Sequence, residues 1–154
     1  LGPLQNEAQQ KIVTDLVDEA RNAGATIVTG GNLQDDQPGY FYPATIVADI
    51  DQNNPLVQIE QFGPALPIIK YDNLDQAIEW ANELEVGLGS SVWSADEDRA
   101  RAVANRLIAG TTWINKHGAV DPRVPFGGVK KSGMGLEFGV EGLKQVAQPK
   151  VTAL

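Results

Sequence analysis

The chain has 154 residues, enough to bury a core without covalent staples, and its 42% hydrophobic and 21% charged residues are ordinary for a globular protein. It contains no cysteine, which excludes disulfides, thiolate metal ligation and a cysteine nucleophile within these residues. Twelve basic residues against 20 acidic ones leave a net charge of −8, which argues against nucleic acid and against an anionic membrane surface as partners.

The chain opens Leu1-Gly2-Pro3-Leu4, without an initiator Met and without a charged-then-apolar leader. It therefore reads as beginning inside a longer sequence, with a cytoplasmic setting expected. After Pro3, Ile12, Val13, Leu16, Val17 and Ala20 recur at helical spacing, with Asp15, Asp18 and Glu19 opposite, and Gly24 stops the helix. Ala25 to Thr29 is a short β-branched strand closed by Gly30-Gly31. Asn32 to Gly39 is a loop. Tyr40 to Ala48 reads as a strand whose Pro43 suits an edge or a bulge. Pro55 to Gln58 forms a brief helical turn.

Leu66 to Tyr71 is a strand, and Asn73 with Gln76 caps a helix whose apolar face is Leu74, Ala77, Ile78, Ala81 and Leu84, ended by Gly87. Ser90 to Trp93 is again a strand. Ser94 and Glu97 cap a further helix that buries Ala100, Val103, Ala104, Leu107 and Ile108 and stops at Gly110. Thr111 to Asn115 is the next strand. Strand, helix, strand, helix, strand over 66–115 predicts two successive crossovers, and so an α/β fold with an open, twisted, mostly parallel sheet flanked by helices. Lys116 to Gly135 is loop. A short helix from about Leu136 to Ala147 precedes a terminal strand, Lys150 to Leu154, which has no hairpin partner nearby.

Few residues carry obvious chemistry. His117 is the only histidine, and a lone loop histidine is more often a surface residue than a ligand or a base, so no metal site is expected. Gly133-Met134-Gly135-Leu136-Glu137-Phe138-Gly139 has the wrong spacing for a dinucleotide fingerprint and no strand feeding it, which favours a turn. Glu60-Gln61-Phe62-Gly63-Pro64 is more informative. In extended chain Glu60 and Phe62 face the same side. A carboxylate can accept two hydrogen bonds from a ribose diol while a ring beside it packs on a flat heterocycle. Taken bare, the stretch reads more readily as a solvated Glu beside a core Phe.

Glu60 to Pro64, Ala109-Gly110-Thr111-Thr112-Trp113-Ile114-Asn115, and Pro125-Phe126-Gly127-Gly128-Val129-Lys130-Lys131-Ser132-Gly133-Met134-Gly135 together resemble the C-terminal part of the aldehyde dehydrogenase superfamily. Gly2-Pro3 and Gly39 to Ala44 match in the same order. The resemblance implies that a cysteine thiolate attacks an aldehyde and that hydride passes from the thiohemiacetal to NAD or NADP. A glutamate-activated water then hydrolyses the thioester to a carboxylic acid.

By the same resemblance, Glu60 matches the residue that holds the nicotinamide ribose and Phe62 the ring beside the nicotinamide. Phe126 matches an aromatic of the aldehyde tunnel, and 116–124 its rim, where Val120 replaces a second aromatic found in some relatives. The catalytic cysteine and the general-base glutamate precede the matched region, so no catalytic residue is assigned here. The resemblance makes 1–147 part of the catalytic domain and 148–154 an oligomerisation strand. The isolated chain is then expected to be inactive and to bind the dinucleotide weakly.

A reading of another class is a standalone, non-catalytic assembly module, motivated by the unpaired terminal strand. Either way, Ile12, Leu16 and Val17 are expected to expose an apolar stripe and drive self-association into a dimer or larger homo-oligomer.

Overall fold

A computed structural model describes residues 1–33 and 38–153. Residues 34–37 of the expected loop, and Leu154 of the expected terminal strand, lie outside the described residues. The chain divides into two compact units, Leu1–Asp72 and Asn73–Leu154.

In the first unit, α1 (Glu7–Asn22) starts where the Asn6 side chain accepts a hydrogen bond from the Gln9 amide at 2.8 Å. Its apolar spacing places Val13, Leu16, Val17 and Ala20 in the core. They pack with Tyr42, Val47, Ile50, Leu56 and Ala65. Strand β1 (Thr26–Thr29) pairs antiparallel with β2 (Thr45–Ala48), with a register shift between Ile27 and Thr29. The one-turn helix α2 (Pro55–Gln58) follows, capped by Asn54, and β3 (Ala65–Ile68) then pairs parallel with β2 in the register Thr45↔Ala65.

Two expectations change in this unit. Pro43 precedes β2 instead of lying within it, because the central strand of a three-stranded sheet needs every N–H that a proline lacks. Leu16 and Val17 are buried beneath the sheet, so they form no free stripe, whereas Ile12 is 44% exposed.

In the second unit, α3 (Leu74–Glu83) begins at Asn73, whose side chain accepts from the Asp75 and Gln76 amides. It ends before Gly87, which lies in the two-residue strand β4 (Val86–Gly87). Lys130 stops the helix instead, its Nζ donating to the Asn82 and Leu84 carbonyls. Of the expected apolar face only Ile78 is buried.

Strand β5 (Gly89–Val92), helix α4 (Glu97–Ala104) and strand β6 (Thr111–Ile114) form a parallel crossover. Asp96, not Ser94, caps α4, accepting from the Arg99 amide at 2.9 Å, because the Ser94 hydroxyl is already engaged by the Asp96 amide. The helix ends at Ala104 and leaves Ile108 53% exposed, with Ala100 as its buried contact. Strand β7 (Val129–Lys130), inside the expected loop, pairs antiparallel with β4, and α5 (Gly139–Gln145) closes the unit.

The protein is thus α/β. Among the described residues its strands form one three-stranded and two two-stranded sheets. Of the two expected crossovers, β5–α4–β6 is formed among the described residues, while β3 stands at the edge of its sheet with β2 as its parallel partner. Residues 150–153 form no strand within the described residues.

Candidate functional site

The stretch 59–65 is held from both ends. The Ile59 amide donates to the Pro55 carbonyl at 2.9 Å, which closes α2, and the Thr45 amide donates to the Pro64 carbonyl at 2.8 Å, which starts the β2–β3 ladder. Between these anchors the chain bends at 62–64. Exposure alternates along it: Glu60 out, Gln61 in, Phe62 out, Gly63 in. Gly63 is packed so closely that a β-carbon there would lie 2.5 Å from Val13 Cγ2 and 3.3 Å from Leu4 Cδ2. The absence of a side chain seats the bend directly on α1.

The consequence is an aromatic ring that the fold itself does not use. Phe62 is 73% exposed, so most of its ring is open to a partner. Glu60 is exposed beside it and makes no hydrogen bond or ion pair with a described residue. Its carboxylate therefore keeps both oxygens free to accept. Gln61, which the sequence does not single out, turns inward and donates Nε2 to the Ala65 carbonyl at 2.7 Å. The in-out alternation of the stretch is the signal that would have drawn attention to it.

In the second unit, residues 116–124 form a loop carried by β6. Trp113 is buried, and its indole N–H donates to the Ala119 carbonyl at 2.8 Å. His117, exposed, sets its ring edge-to-face against Trp113 with centroids 5.1 Å apart, which agrees with a surface histidine. Farther along, the Arg123 side chain and amide donate to Asp121 and hold its carboxyl below the usual carboxylate range, while Asp121 raises the Arg123 guanidinium in turn. Val120 stands exposed on this loop. Phe126, half-buried, lies on the return limb, where its amide and carbonyl each bond Glu137 at 2.8 Å. The sequence places Val120 and Phe126 on one loop system, and the structure keeps them there.

The Gly-rich run is a packing device. A β-carbon on Gly127 would overlap the Gly135 carbonyl, and Gly133 and Gly135 adopt φ of 110° and 109°, which favours glycine. This supports the turn reading of that run. No group of three or more His, Cys, Asp or Glu side chains arranged to hold a metal occurs among the described residues.

The family model for the aldehyde dehydrogenase family matches residues 1–152. The chain is 39% identical to aldehyde dehydrogenase LUC3 of Fusarium sp, over 100% of this chain and 34% of that protein. It is also 39% identical to succinate-semialdehyde dehydrogenase (NADP+) 1 of Mycobacterium tuberculosis (strain ATCC 25618 / H37Rv), over 97% of this chain and 33% of that one. Among solved structures, lactaldehyde dehydrogenase from Escherichia coli superposes with a TM-score of 0.92 at 34% identity, covering 99% of this chain and 32% of that one. The Mycobacterium tuberculosis aldehyde dehydrogenase complexed with NAD+ superposes with a TM-score of 0.88 at 38% identity, over 94% and 30%. The chain spans about a third of the length of these relatives. The chain belongs to the aldehyde dehydrogenase family.

Proposed function

We propose that this chain is the C-terminal part of an NAD(P)-dependent aldehyde dehydrogenase that oxidises an aldehyde to a carboxylic acid. Residues 1–147 contribute to its catalytic domain and 148–154 to contacts between subunits of a homo-oligomer. The observation that carries the reading is the pairing of an exposed Phe62 with an unpartnered Glu60 on a backbone anchored at both ends.

The residues present suit a nicotinamide dinucleotide. A ribose diol offers two O–H donors, and the Glu60 carboxylate has two free acceptor oxygens. A nicotinamide ring is flat, and the exposed ring of Phe62 offers an apolar surface for it. When bound, the dinucleotide supplies the hydride acceptor. Glu60 orients the ribose, and Phe62 limits where the nicotinamide can lie. Phe126 and Val120 face the aldehyde, Val120 presenting a smaller and less restrictive surface than an aromatic. The sequence has no cysteine, so the thiol that carries the acyl group comes from residues outside these 154.

The test is dinucleotide kinetics in the complete protein that carries this chain. Glu60→Gln is expected to raise the dinucleotide KM by about tenfold, the effect of weakening hydrogen bonds to a charged acceptor. An unchanged KM overturns the assignment. The isolated chain is expected to form no NADH from aldehyde, and turnover by the pure chain would contradict the location of the thiol.

A further inference from the structure

We infer that Gln61 is a positioning residue for the dinucleotide contact, its side-chain amide clamping the bend that presents Glu60 and Phe62. The inference rests on the reading of 59–65 as the dinucleotide contact.

Phe62 leaves most of its ring in solvent, and Glu60 has no bond to a described residue, so neither side chain holds itself in place. Their positions are inherited from the backbone between α2 and β3. That backbone is fixed before the bend by α2 and after it by the bond from Thr45 to Pro64. The segment between, where both side chains originate, is spanned by Gln61. Its Nε2 donates to the Ala65 carbonyl at 2.7 Å, tying the residue between Glu60 and Phe62 across the bend to the first residue of β3. Ala65 is a firm anchor, since it is buried in the core and pairs in register with Thr45.

The other end of the amide points to the same role. Gln61 Oε1 is buried with no hydrogen-bond partner. An apolar side chain of the same length would avoid that unmatched acceptor, so the clamp to Ala65 is what the amide contributes at this position. Losing the donor would let 60–62 move while α2, Gly63 and the β2–β3 ladder keep the fold. The penalty therefore falls on ligand affinity and not on the chemical step.

The experiment compares Gln61→Met, which keeps the length and removes the donor, and Gln61→Glu, whose carboxylate cannot donate to a carbonyl, with Glu60→Gln and Phe62→Ala in the complete protein. Kinetics give dinucleotide KM and kcat. Fluorescence titration with the reduced dinucleotide, without aldehyde, gives Kd. Amide hydrogen exchange at Thr45 reads whether the β2–β3 ladder is intact. Both Gln61 variants are expected to raise KM and Kd together by about 3- to 12-fold, the range for one ordinary hydrogen bond, with kcat within about twofold. Exchange should stay slow at Thr45, whose amide bonds the Pro64 carbonyl, so that the loss of affinity is not a loss of fold.

If Glu60→Gln and Phe62→Ala weaken binding but both Gln61 variants leave KM and Kd unchanged, the clamp is overturned and the site stands. A fall in kcat at constant KM in the Gln61 variants overturns it as well, since that is the mark of a lost folded fraction. If none of the four variants changes dinucleotide binding, the reading of the site fails and the clamp with it.

Discussion

Gly110 and Gly127 meet backbone to backbone: a β-carbon on Gly110 would overlap the Gly127 carbonyl oxygen. The first stands just before β6 and the second lies in the run Pro125 to Gly135. Neither has a positive φ, so the requirement is for space and not for torsional freedom. Gly110 also donates its amide to the Gly87 carbonyl at 3.0 Å, which joins a third segment to the contact.

Gly110→Ala is accordingly expected to lose at least about 3 kcal/mol, because the atom it meets is backbone that cannot rotate away. Gly2→Ala, with nothing within 4 Å of the added carbon, should stay within about 0.5 kcal/mol. Denaturant melts of the two variants check the contrast. Similar midpoints would mean that the segments around Gly110 and Gly127 separate freely.

Phe62→Ala should separate stability from binding. A ring that is 73% exposed contributes little to the folded state, so the melting midpoint should shift by no more than about 0.5 kcal/mol equivalent. Dinucleotide KM should rise over the same substitution. A large loss of stability with KM intact would make Phe62 a packing residue.

Tyr42 is 4% exposed, and its hydroxyl has no partner among the described residues. Burial raises its pKa above 10.0, with Asp18 adding to the rise and Arg21 opposing it. Tyr42→Phe is expected to leave stability unchanged or raise it by up to about 1 kcal/mol, since the removed group is desolvated without compensation. Because the folded pKa is raised, the wild-type protein holds its stability below the unfolded value of 10.0 and loses it as pH rises through the folded value. The variant should lack that alkaline loss. Thermal melts from neutral pH upward would show it, and a clear destabilisation at neutral pH would reveal a partner for the hydroxyl.

Asp49 and Lys70 follow β2 and β3 and pair at 2.8 Å. The Lys70 side-chain bond lowers the Asp49 pKa below 3.8, helped by Thr26, and Asp49 raises Lys70 above 10.5. The lowered carboxyl contributes stability above the unfolded value of 3.8, lost as pH falls through the folded value. The raised ammonium contributes below 10.5, lost as pH rises through its folded value. Asp49→Asn, which tolerates the φ of 52° at this position, should be slightly less stable at neutral pH and match wild type in strong acid. Salt should shrink the neutral-pH difference, because the pair is exposed. A difference that persists unchanged in acid or in salt would rule out the ion pair as its source.

Much of this protein is legible from its sequence. Val13, Leu16, Val17 and Ala20 announce the buried face of α1 because helical period and burial are both local consequences of where the side chains point. Asn73 marks the start of α3 for the same reason, since a cap needs only its own next two or three amides. The ordered match of Glu60 to Pro64, Ala109 to Asn115 and Pro125 to Gly135 points to the family. What the spacing of apolar residues does not contain is partner choice. The pairing of β3 with β2 joins Thr45 to Ala65 through backbone groups that every residue shares, so no side-chain pattern records it.

The helix ends differ from expectation where a distant group intervenes, as when Lys130 receives the last carbonyls of α3 and takes the role expected of Gly87. The site divides along the same line. That Glu60 and Phe62 share a side follows from extended geometry. That Gly63 must be bare against Val13, and that Gln61 must reach Ala65, is decided by the tertiary structure, because only the folded chain brings α1 under the bend and gives that amide a carbonyl to meet.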